Sequence, residues 1–160
     1  MTRSPRYWLV KSEPTAFSID DFARAPRQTT CWDGVRNYQA RNFLREMAVG
    51  DQVLFYHSNA EPPAVVGSAE VVKTAYPDDT QFDRRSHHFD PASTTQEPRW
   101  DMVDLKYKEK FRTAVPLDRL RQESQLKEMV LLRKGSRLSV QPVTGREWSI
   151  IMRIAGSRKG

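Results

Sequence analysis

The sequence predicts an α+β fold, one strongly curved mixed sheet or barrel with short helices around it, and three observations lead there. Strand-like runs recur at the start, in the middle and near the end of the 160 residues. The helical stretches between them are short and irregularly spaced, without the strand-helix alternation of a doubly wound sheet. Two of the runs are separated only by a Pro-containing loop, so they are expected to pair as a hairpin.

In chain order, "RYWLVKSE" is a β-rich apolar run ended by Pro14, and Ser18 caps a short helix containing Ile19, Phe22 and Ala23. The chain turns back at Pro26. "CWDGVRN" is a Gly-broken loop. After it, Ala40, Phe43, Leu44 and Met47 recur at i, i+3, i+4 and i+7, the inner face of a helix that leaves Arg41, Arg45 and Glu46 outside. "VGDQVLFYHS" is a strand entered through a Gly-Asp turn, with Val53, Phe55 and His57 on one face and Leu54, Tyr56 and Ser58 on the other. "NAEPPAVV" is a loop leading into "AVVGSAEVVKTAYP", a long β-branched strand bulged near Gly67 and stopped by Pro77.

Residues 77–99 are polar, Pro-punctuated and aperiodic, which makes a long loop of the kind that is often functional or mobile. "WDMVDLKYKEKF" is a strand, and "PLDRLRQESQLKEMVLLRKGS" gives one or two short helices ending before Gly135. "RLSVQPV" is a short strand broken by Pro142. Thr144 and Glu147 form a T-x-x-E capping box for a last helix with Trp148, Ile151, Met152 and Ala155 on its apolar face, and Gly156 ends it.

The charged and apolar fractions, 29% and 38%, fit one soluble domain, expected over residues 1–156 with a frayed tail at 157–160. An apolar run of four residues near the N-terminus is too short for a signal-peptide core, and no stretch approaches the ~20 apolar residues of a membrane helix. A cytoplasmic location away from membranes is the expectation. The one cysteine, Cys31, excludes an internal disulfide and a Cys-based zinc cluster. The net charge of +6 is unevenly spread: residues 119–160 hold ten Lys and Arg against three acids, so the positive field is C-terminal and an anionic partner such as nucleic acid suits it.

There is no G-x-G-x-x-G, P-loop or H-E-x-x-H pattern, which removes the main support for dinucleotide, nucleoside-triphosphate and zincin chemistry. His87 and His88 are adjacent and point apart, with only His57 elsewhere, so no metal site is expected; no cofactor is expected either. A triad of Ser12, His57 and Asp33 lacks a nucleophile-elbow pattern, and no catalytic residue is assigned.

Four polar-aromatic clusters instead fall at predicted strand ends and helix entries. They are "KSEP" with Lys11, Ser12 and Glu13; "CWDGVRN" with Trp32, Asp33, Arg36 and Asn37; "FYHSN" with Tyr56, His57 and Ser58; and "RLSVQP" with Ser139. Converging, they would offer flat walls from Trp32 and from Tyr56 or Trp100, with short donors and acceptors from Ser12, Asn37, Ser58 and Ser139. That is the chemistry of a pocket for a planar heterocycle: rings stack, and a few hydrogen bonds read the edge. Each member has a plainer reading too. Asn37 suits a helix N-cap, Arg36 a surface charge, and Trp8, Trp100 and Trp148 core packing. Arg133, Lys134 and Arg137 suit a solvated face or, beside a base pocket, phosphate contacts.

In order and spacing, "YWLVKSEP", "WDGVRNYQARNFLREM", "VGDQVLFYHSN", "VVGSAEVVKTAYPD", "PRWDMVDLKYKEKF" and "RLSVQPVT" resemble the EVE domain family across residues 7–155. The resemblance implies membership of the PUA-like superfamily, near YTH and ASCH domains, with a curved sheet or barrel of five to six strands. It also implies a reader of modified bases. By motif, Lys11 and Ser12 resemble the lysine-serine pair that ends the first YTH strand, and Trp32 resembles the YTH cage tryptophan. Asp33 stands where YTH domains have serine. Glu13 stands where they have asparagine, which changes the base edge that can be read, because a carboxylate accepts and does not donate. The second cage aromatic is left open between Trp100 and Tyr56.

The expected function is therefore a non-enzymatic reader that binds nucleic acid carrying a modified base, with Arg133, Lys134 and Arg137 on phosphates. Two alternatives stand beside it. One is an enzyme on nucleotides or nucleic acid using Glu13, Asp33 or His57 as acid or base; the other is a small-molecule or protein-interaction module.

Overall fold

The computed structural model describes residues 4–157. Its centre is a six-stranded sheet in the order β2-β5-β4-β3-β1-β6. The strands are β1 (Tyr7–Ser12), β2 (Thr29–Cys31), β3 (Gln52–His57), β4 (Ala64–Pro77), β5 (Asp101–Pro116) and β6 (Val140–Val143). β1 and β3 are parallel neighbours, and the other pairs are antiparallel. Around the sheet lie α1 (Ile19–Arg24), α2 (Tyr38–Glu46), α3 (Leu117–Arg121) and α4 (Gly145–Ile154). The sheet is open, with β2 and β6 as its edges, and does not close into a barrel.

Strand alternation explains why both faces are buried. Trp8 and Val10 of β1 and Val53 and Phe55 of β3 point to one face, where Ile19 and Phe22 of α1, Trp32, and Ala40 and Leu44 of α2 cover them. Leu9, Leu54 and Tyr56 point to the other, under Leu120, Leu126, Met129, Trp148 and Ile151. The near-continuous apolar run of β1 follows from that double burial. A buried carboxylate ties the first face together: Asp51 accepts the Trp8 indole N–H and the Ala48 amide, both at 3.0 Å, locking the turn after α2 onto β1.

The caps are as the sequence predicts. Ser18 and Asp21 close a capping box on α1, and Thr144 and Glu147 close another on α4. The bulge near Gly67 is present, since Phe55 pairs with Gly67 and Tyr56 with Val65. A Cβ on Gly67 would lie 2.5 Å from the Glu109 carbonyl oxygen, so only glycine fits there.

Four expectations need correction. Strand β2 has no counterpart in the sequence reading: three residues without an apolar pattern pair with β5, and the Trp32 amide extends that ladder to the Val103 carbonyl at 2.7 Å. Pro142 does not break β6; it lies within it, opposite Trp8, because an edge strand tolerates a missing N–H. The stretch after β5 holds one short helix, α3, followed by two single 3₁₀ turns, Ser124–Leu126 and Val130–Leu132. Of the expected tail, Ser157 is held by its amide on the Met152 carbonyl and by its hydroxyl on Glu109, while 158–160 lie outside the described residues.

Candidate functional site

Because β1 and β3 run parallel, their C-terminal ends emerge side by side, with Lys11 opposite Tyr56 and Ser12 opposite His57. Chain beyond the end of such a ladder is free to carry ligand-binding groups. Residues 13–17 form a tight turn in which the amides of Ala16 and Phe17 both bond the Glu13 carbonyl, and the Ser12 hydroxyl donates to the Phe17 carbonyl at 2.6 Å. Across from this turn lies the end of β2 and the loop after it. Between the two is a cleft of about 420 Å³ lined by Lys11, Ser12, Glu13, Ala16, Phe17, Thr30–Val35 and Ser139. Ser139 enters from the approach to β6, its carbonyl accepting the Lys11 amide at 2.9 Å.

Trp32 is the fixed wall of this cleft. Only 8% of it is exposed, and it meets Phe17 and Phe55 edge to face, with ring centroids 6.4 and 5.6 Å apart. Its indole N–H makes no hydrogen bond among the described residues, unlike those of Trp8 and Trp100. The loop behind it is braced from the 77–99 segment. Gly34, at φ +77°, donates its amide to Asp78 at 2.8 Å, and a Cβ there would strike the His88 ring at 2.6 Å. Asp78 is buried, and it also accepts from the Arg36 guanidinium, the Thr80 amide and the Thr80 hydroxyl. Burial raises its pKa, but those hydrogen bonds outweigh burial and leave it below the ordinary carboxylate value.

The polar groups facing the cleft are less well satisfied. Half-burial lowers the pKa of Lys11, whose ammonium has no hydrogen bond or ion pair among the described residues. Burial, then the nearby Asp78 carboxylate, raises Asp33. Burial and Asp33 likewise push the Cys31 thiol up. Glu13 is tied to the Asn59 amide at 2.5 Å.

The structure thus brings together Lys11, Ser12, Glu13, Trp32, Asp33 and Ser139. It places the other sequence-predicted residues elsewhere, each for a physical reason. Trp100 donates its indole N–H to Asp90 at 2.7 Å and stacks on Tyr38, so it belongs to the bracing segment and is not a cage wall. Tyr56 points to the opposite face of the sheet, because β3 alternates, and it is no wall of the Trp32 cleft either. Arg36 is spent on Asp78, Thr80 and the His88 carbonyl. Asn37 is the N-cap of α2, accepting the Ala40 amide at 2.9 Å. His57 uses Nε2 to accept the Ile19 amide at 3.1 Å, and burial lowers its pKa, so it serves α1 as a neutral acceptor. Ser58, Arg133 and Lys134 line a second pocket, and Arg137 is exposed and lines neither.

Phe17 is the aromatic that the sequence reading missed. It precedes the N-cap Ser18 and contacts Phe22 at 5.6 Å, the spacing of a hydrophobic staple, which was the available signal. Among the described residues no group of three or more His, Cys, Asp or Glu is placed to hold a metal ion, and no helix is long and apolar enough to cross a membrane.

Comparison with known proteins adds the following. The EVE domain family model matches residues 6–154. Mouse thymocyte nuclear protein 1 is 45% identical over 91% of this chain and 72% of its own length. A crystal structure of a Pseudomonas syringae protein is 48% identical, with a TM-score of 0.89 over 93% of this chain and 99% of that one. The crystal structure of human THYN1 in complex with DNA containing 5-methylcytosine is 42% identical, with a TM-score of 0.90 over 96% of this chain and 99% of that one.

Proposed function

The chain belongs to the EVE domain family, and from that premise we propose that it is a reader of a modified nucleobase, with 5-methylcytosine in DNA as the leading ligand. The observation that carries the proposal is the cleft itself, walled by Trp32 and Phe17 and rimmed by two donors, the Lys11 ammonium and the Trp32 indole N–H, that have no hydrogen-bond partner among the described residues. The human relative's complex with 5-methylcytosine DNA supports the same assignment.

The chemistry of the rim suits cytosine. Its exocyclic amino group donates, and Asp33 and Glu13 accept; its ring nitrogen and carbonyl accept, and Lys11 and the Trp32 indole N–H donate. Burial raises the pKa of Asp33 and lowers that of Lys11, so each gains from a ligand group of complementary character. A duplex base reaches the cleft only if it is flipped out of the stack, at a few kcal/mol. Stacking on one aromatic returns about 1–3 kcal/mol. Burying one methyl group adds roughly 1–3 kcal/mol in a closely fitting apolar site, which sets the preference for the methylated base at about tenfold or more.

Titrating methylated and unmethylated oligonucleotides, single- and double-stranded, against wild type and Trp32→Leu tests this directly. Leucine keeps an apolar filler against Phe55 and removes the indole. Wild type should prefer the methylated oligonucleotide, and the variant should lose about tenfold in affinity for it. Equal binding of both proteins to all oligonucleotides would overturn the proposal.

A further inference from the structure

The end of β1 serves two pockets on opposite faces of the sheet. Ser12 turns to the face of Trp8, Val10 and Trp32, and Lys11 turns to the face of Leu9 and Tyr56; lying at the strand's end, Lys11 lines both cavities. The second cavity has about 360 Å³, and its lining includes Tyr56, Arg121, Arg133, Lys134 and Ser136 beside Lys11. Among the described residues no carboxylate lines it. Arg121, Arg133 and Lys134 are exposed and form no ion pair with an acidic side chain among the described residues; Glu123, the nearest acid in sequence to Arg121, pairs with Arg119. Ser136 lines the pocket, and its hydroxyl oxygen is buried with no hydrogen-bond partner among the described residues. Gly135, at φ +73°, makes the tight turn that sets Ser136 at this site.

We propose that this second pocket is a phosphodiester site, which holds the backbone phosphate next to the base occupying the Trp32 cleft. The assignment rests on the reading of that cleft as a base site. Base and phosphate of one nucleotide are separated by a single sugar, and the two cavities are separated by the strand end that carries Lys11. The rim is continuous as well: the segment that supplies Arg133, Lys134 and Ser136 to the second pocket runs on to supply Ser139 to the first, and Asn59 of the second is bonded to Glu13 of the first. Lysine, paired arginines and hydroxyls without a competing acid recognise a phosphate; its position beside the cleft selects a phosphate of the bound strand over a free anion.

The test uses a 5-methylcytosine oligonucleotide with one uncharged methylphosphonate placed in turn at each linkage around the modified base. One linkage should cost wild type about tenfold in affinity, and in the Arg121→Gln/Arg133→Gln variant the same replacement should cost less than about twofold. The variant should keep the wild-type ratio of methylated to unmethylated binding and lose salt dependence, by about 0.7–0.9 in the log-log slope per contact removed. Equal sensitivity at all linkages, or an undiminished effect in the variant, would overturn the phosphate site. Inorganic phosphate alone shifting the Gly135 and Ser136 amide resonances, with no linkage sensitive, would assign the pocket to a free anion and overturn it too. If the sensitive linkage is found but methylation makes no difference, the phosphate site stands and the base reading fails.

Discussion

Two tryptophans flank the loop that enters α2, and they differ in how their polar groups are accounted for. Trp100 is 5% exposed and complete: its N–H is on Asp90, Tyr38 stacks 4.8 Å from its ring, and Arg36 and Arg41 lie over it. Trp32 is 8% exposed and incomplete: among the described residues its N–H has no partner, and neither has the Lys11 ammonium of the cavity it borders. Burial alone does not separate them. Hydrogen-bond satisfaction does, because donors left unmet at the rim of a cavity are those an incoming ligand or water can meet. The 77–99 segment, read from sequence as a long loop of a kind often functional or mobile, is a brace: its buried Asp78 accepts the Gly34 amide of the Trp32 loop, and its buried Gln81 ties the Asp78 and Trp100 carbonyls together.

That contrast can be broken at the brace. Asp78→Ala leaves the Arg36 guanidinium, the Gly34 amide and Thr80 without their shared acceptor; the expected loss is about 3–5 kcal/mol in urea unfolding, together with weakened oligonucleotide binding. A smaller effect is expected from Trp100→Phe. It removes one hydrogen bond to the Asp90 carboxylate, about 1.5–3 kcal/mol of stability, and should leave the preference for a methylated base unchanged. An altered preference would mean that the bracing tryptophan also reads the ligand.

The smallest effect concerns His57. Its folded pKa lies below the ordinary 6.5, chiefly through burial, with Lys110 adding and Asp20 opposing. Above about pH 6.5 both folded and unfolded chains hold it neutral; below, the unfolded chain takes up a proton that the folded chain resists. Its contribution to stability is therefore present above that pH and fades as pH falls. The melting temperature should drop between about pH 7.5 and pH 5.5, and His57→Gln should flatten part of that drop. Part remains because His88 shifts in the same direction.

Elements with a strong local rule were legible in the sequence. Val53 to Tyr56 alternate, Thr144 and Glu147 cap, and Ala40, Leu44 and Met47 line a helix face. Strand β2 was not, because three residues carry no period and its existence depends on pairing with β5. The site was half legible. Lys11, Ser12, Glu13, Trp32, Asp33 and Ser139 follow from strand ends and motif resemblance, whereas convergence is a tertiary property. Alternation already set Tyr56 opposite Phe55, but only the fold could put Trp32 on the Phe55 face, commit Arg36 to Asp78, and bring Phe17 opposite Trp32. Asn37 shows the plainer reading prevailing: it caps α2.

The four tryptophans make a direct measurement possible, since a ¹⁵N-labelled sample should give one indole N–H resonance for each. On titration with an oligonucleotide containing 5-methylcytosine, the Trp32 resonance should shift most and the Trp100 resonance should stay in place, with an unmethylated control reproducing the pattern only at higher concentration. A bound oligonucleotide that moves Trp100 and leaves Trp32 unshifted would contradict the assignment of the cleft.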